Sequence, residues 1–157
     1  MAAALDPTSD HVVNMMLGAC KDNNVTLIGD LLNLGASPDS ANAINQSALH
    51  IASLWGSLDV VRLLIAAGAN PNAANRFGAT PLHCAAQRKQ AEVGRYLLEM
   101  RADPTVVAGN ALRAYEMCPD EGLWASFGAP RNELHKAAAE PEPVPALTAV
   151  LEAEEVC

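Results

Sequence analysis

The 157 residues predict an all-α solenoid of stacked helix-turn-helix pairs, about four to five of them. Two observations carry that expectation. The stretch 47–72 lands on 80–105 when the sequence is displaced by 33 residues. Leu49 then falls on Leu82, His50 on His83, Ala52 on Ala85, Val60 on Val93, Leu64 on Leu97 and Pro71 on Pro104. A fixed period of that size marks a stack of small units, none of which buries its apolar face without a neighbour. The second observation is composition. Half the residues are hydrophobic but only 4% are aromatic, so the interior is built from Ala, Leu, Val and Ile, which suits thin helices packed close together.

Taken in order, Thr8, Ser9 and Asp10 offer capping side chains before an apolar run, which predicts a helix over 11–21 and a second over 25–33. Leu17 corresponds to His50, Leu31 to Leu64 and Ala36 to Ala69, so this is a first copy (9–41) that lacks the later histidine. Gly35 and Pro38 end it, the glycine by taking a left-handed turn and the proline by preventing continuation. The full copies are 42–74 and 75–107. Ser47 and Thr80 cap their first helices, and Pro81 suits a first turn, where a missing N–H costs nothing. Val60, Val61, Leu64 and Ile65, then Val93, Leu97 and Leu98, recur at helical spacing in the second helices. Gly68, Ala69, Asn70 and Pro71 read as an exit turn leading to an extended finger. Arg101 occupies the slot of that glycine and Lys89 the slot of Gly56, which predicts a locally weaker third copy.

A degenerate fourth copy spans 108–130, with Tyr115 in the Leu slot and a short helix through Trp124 to Phe127, stopped by Gly128. Residues 131–155 read as a terminal helix pair, and the alternative is a loosely attached acidic tail with one amphipathic helix. The chain is read as a single domain, 1–157.

Thr80, Pro81, Leu82, His83, Cys84 and Ala85 fit the motif T-P-L-H-x-A at every fixed position, and with the 33-residue period the chain resembles the ankyrin-repeat family. The resemblance implies β-hairpin fingers and a partner protein held by the finger tips and the exposed face of the first helices. Carried onto this sequence, those positions are Ile44 and Gln46, then Arg76 and Phe77, on the tips. Leu54 and Trp55, then Gln87 and Arg88, lie on the helix face, with Lys21 and Asp22 matching in the first copy. Ile44, Leu54, Trp55 and Phe77 are apolar where the scaffold leaves residues exposed, which predicts a contiguous contact patch. The other reading of Leu54 and Trp55 is packing between layers.

Other chemistries find little support. His50, His83 and His135 fall in the motif slot or its equivalent, on successive layers, where an imidazole ties backbone groups together. There is no G-x-S-x-G, Gly-rich phosphate loop or H-E-x-x-H, so no enzyme is expected and no cofactor or metal is called for. Cys20, Cys84, Cys118 and Cys157 form no C-x-x-C pair. The first three take small apolar slots, as buried reduced thiols in an intracellular, cytoplasmic protein would. The net charge is −8, and residues 116–157 hold nine acids against Arg131 and Lys136. That balance disfavours nucleic acid and anionic membrane. No apolar run approaches a membrane span, and the acidic start has no basic targeting region. The expected partner is another protein, with the chain monomeric by itself or a subunit of a hetero-complex.

Overall fold

The structure, a computed structural model, describes residues 6 and 8–130. Four layers follow one another. Helix α1 (Asp10–Lys21) pairs with α2 (Val25–Asn33), α3 (Ala48–Trp55) with α4 (Leu58–Ala66), and α5 (Pro81–Gln87) with α6 (Ala91–Glu99). The last layer is α7 (Ala114–Met117) and a 3-10 helix (Glu121–Phe127). The first helices pack in series, α1 on α3 on α5 on α7, and the second helices form a parallel row ending in the 3-10 helix. The terminal pair or tail expected over 131–155 lies outside the described residues, as do His135 and Cys157.

Helix starts follow the capping residues. Ser9 accepts from the Val12 N–H, and Asn24 accepts from Leu27 at the start of α2. The core is a continuous file of aliphatic side chains. Met16, Ile28, Leu49, Val60, Val61, Leu64, Leu82 and Leu97 are fully buried, with Tyr115 and Phe127 closing the fourth layer. Gly94 in α6 has a steric reason: a Cβ there would meet the Phe127 ring at 2.5 Å and the Ser126 carbonyl at 2.6 Å. The bare helix surface is the seat of the 3-10 helix.

Left-handed residues recur in phase with the repeat. Positions 23, 56 and 89 hold Asn23, Gly56 and Lys89; positions 35, 68 and 101 hold Gly35, Gly68 and Arg101. A third slot, at the finger turns, holds Asn45, Gly78 and Ala111, and all nine residues have positive φ. The backbone therefore repeats where the side chains do not. Arg101 keeps φ at 66° and Lys89 at 58°, so the third copy holds side chains where the second holds glycine, at about 1 kcal/mol each.

The fingers are narrower than hairpins. Those at 41–47 and 107–113 each close on a single antiparallel bridge, Ala41 to Ser47 and Val107 to Arg113, and no longer strand forms among the described residues. The reason is local. Asn42 Oδ1 accepts from the Ile44 and Gln46 N–H groups, and Asn75 Oδ1 from Phe77 and Ala79, so side chains take donors a ladder would use. The fingers bond to one another instead: Arg76 N–H donates to the Ile44 carbonyl at 3.0 Å, and Gly109 N–H to the Phe77 carbonyl at 2.7 Å.

Candidate protein-binding groove

His50 and His83 are structural in geometry. The Ser47 N–H donates to His50 Nδ1 at 3.2 Å, and His50 Nε2 lies 2.9 Å from the Ala79 carbonyl, one layer on. A carbonyl only accepts, so Nε2 carries the proton and Nδ1 is the acceptor. His83 repeats this with the Thr80 N–H at 3.2 Å and the Leu112 carbonyl at 3.2 Å. Each ring thus ties the start of a first helix to the foot of the following finger. Burial lowers both imidazole pKa values from the usual 6.5, against the pull of the backbone carbonyls. The thiols are inert by the same logic. Cys20, Cys84 and Cys118 are buried and unpaired, and burial pushes Cys20 and Cys84 up to about 12.

With the fingers tied at their tips and feet, an open groove of 790 Å3 remains between them and the first helices. Ile44, Gln46, Arg76 and Phe77 from the tips line it, with Leu54 and Gln87 from α3 and α5. These are six of the eight residues singled out in the sequence. Phe77 is 64% exposed, although the Asn75 side chain fixes the backbone on which it stands. Leu54 is half-buried and lines the groove.

Trp55 and Arg88 are not in the groove wall. Trp55, 45% exposed, ends α3, where Lys21 Nζ sits 4.8 Å and Arg88 Cζ 5.6 Å from its ring centroid. The contiguous patch expected from the sequence is therefore two features: an apolar groove by the fingers, and a ridge of one indole with two cations at the helix ends. The reason is direction. On α3, successive residues point about 100° apart, so Leu54 turns toward the fingers while Trp55 turns toward the ends of α1 and α5.

Sequence reasoning missed part of the wall. Val107 ends the third copy, and Asn110 and Met117 belong to the degenerate fourth, whose alignment the sequence gives but whose contact positions it was not used to assign. The signal was there: Asn110 is 33 residues beyond Phe77. None of the groove's lining residues carries a carboxylate. Among the described residues no group of three or more His, Cys, Asp or Glu is placed to hold a metal, and no helix is long and apolar enough to cross a membrane.

Tied fingers, stacked helix pairs and an unfilled apolar groove define a helical repeat protein with a surface suited to holding another chain. The family of ankyrin repeats, in three copies, matches residues 15–108, more than half of the sequence, and the chain belongs to that family. Ankyrin repeats mediate protein–protein interaction. No curated protein matches the chain.

Proposed function

We propose that this chain is a single-domain, non-catalytic interaction module, an adaptor, scaffold or inhibitor, that binds a partner protein in the groove between its fingers and first helices. The observation that carries the reading is Phe77. A large apolar side chain, 64% exposed, stands on a fixed turn at the rim of an apolar groove that no described residue fills. Exposure of this kind contributes nothing to folding and becomes useful only when something covers it. A preordered aromatic also loses little conformational freedom on binding, which is the usual character of a hot spot. Three buried, unpaired thiols support a reducing intracellular setting.

The test is Phe77→Ala, measured for melting temperature and for capture of protein partners identified by mass spectrometry. The expected result is an unchanged melt with affinity lowered by about 2 kcal/mol, roughly thirtyfold. A depressed melt with undiminished capture would overturn the reading.

A further inference from the structure

The Lys21, Trp55 and Arg88 ridge is not explained by the fold. The three residues come from three successive layers, at the last turn of α1, the end of α3 and the C-cap of α5. Both cations face the same indole, and neither has a carboxylate partner among the described residues. Lys89 follows Arg88, exposed, and Arg76 stands on the groove rim, whose lining has no acid. The acids nearest the ridge are Asp22, next to Lys21, and Asp59, whose carboxylate accepts from Asn23 Nδ2 at 3.5 Å. A chain of net charge −8 thus brings two cations from separate layers onto one exposed indole. Cation–π contact holds a guanidinium or ammonium over the ring without consuming its N–H donors, which stay available to oxygen acceptors.

Resting on the groove reading above, we propose that the bound partner is an acidic peptide segment: apolar side chains enter the groove by Phe77, and Asp or Glu side chains pair with Lys21 and Arg88 over Trp55. Carboxylates there meet cations already positioned, and covering the ridge removes the water that weakens exposed ion pairs. The groove supplies apolar area, and the ridge supplies sign and register.

A random-peptide library displayed against the full chain tests this, followed by titration of enriched synthetic peptides. Peptides that combine apolar residues with Asp or Glu are expected, bound more weakly as salt rises. The double variant Lys21→Glu, Arg88→Glu should weaken them about tenfold or more and, in a fresh selection, favour Lys- or Arg-bearing peptides. Circular dichroism confirms that the variant is folded, and Lys21→Gln, Arg88→Gln, expected to weaken binding less, serves if it is not. Enriched peptides without acidic bias, still lost on Phe77→Ala, would overturn the ridge and leave the groove reading intact. Peptides indifferent to Phe77→Ala, or no enrichment, would overturn both. If replacing Glu152, Glu154 and Glu155 by Gln strengthens peptide binding severalfold, the occupant is the chain's own terminus and the external partner is overturned. Self-association abolished by the charge reversal would instead assign the ridge to a second copy, which also overturns it.

Discussion

Burial disfavours the charged forms of His50 and His83, against the backbone carbonyls that favour them. Both folded-state pKa values lie below the usual 6.5, so the unfolded chain binds more protons than the folded one as pH falls through that value. Stability should be flat above pH 6.5 and decline below it, toward the lowered folded values. Melts across that range check this, and the decline should shrink in the His50→Gln, His83→Gln double variant. Arg101 offers the opposite lever. Its φ of 66° is a glycine conformation, and its exposed side chain has no partner among the described residues that the fold requires. Arg101→Gly should raise stability by about 1 kcal/mol in chemical denaturation, and a fall would mean that the arginine stem supports the turn.

At the scale of elements, two glycines within helices should respond with opposite sign. Gly29 in α2 has nothing within 4 Å of a would-be Cβ, so Gly29→Ala gains helix propensity, up to about 1 kcal/mol. Gly94 in α6 touches Phe127, and Gly94→Ala must push the 3-10 helix off its seat, costing about 1–3 kcal/mol by overpacking. Trp124 reports the displacement, because its Nε1–H donates to the Cys118 carbonyl and its ring lies 5.6 Å from Tyr115. Altered tryptophan fluorescence in Gly94→Ala, absent in Gly29→Ala, is the expected pattern.

Across the whole molecule, stability is a sum of contacts between neighbouring layers. Leu64 and Leu97 are both fully buried, each in the second helix of its layer. Leu64→Ala and Leu97→Ala should each cost about 2–5 kcal/mol in equilibrium unfolding. No loss for either would contradict the register of the repeat. The layers are unequal: the second has glycine at both helix-end left-handed slots, Gly56 and Gly68, whereas the third holds Lys89 and Arg101 there. The same stack presents the groove, so its stiffness is what holds Phe77 and Leu54 in fixed relation.

The sequence alone determined the period, the helix pairs and the capping residues, because each depends on chemistry within one repeat. The 33-residue spacing, the Ser47 and Thr80 caps, and the histidine slots were all legible, and so were six residues of the groove wall. The left-handed Lys89 and Arg101 were legible as departures from glycine, whereas Ala111 was not, since alanine does not mark that conformation. Tertiary structure decided what depends on neighbouring layers. Gly94 is explained only by Phe127, more than thirty residues away, and the fingers stay short of hairpins because Asn42 and Asn75 take their donors. It also separated Trp55 and Arg88 from the groove. Adjacent residues on a helix share a sequence neighbourhood but point to different sides, and which side meets a cation or a finger is fixed by the layers above and below.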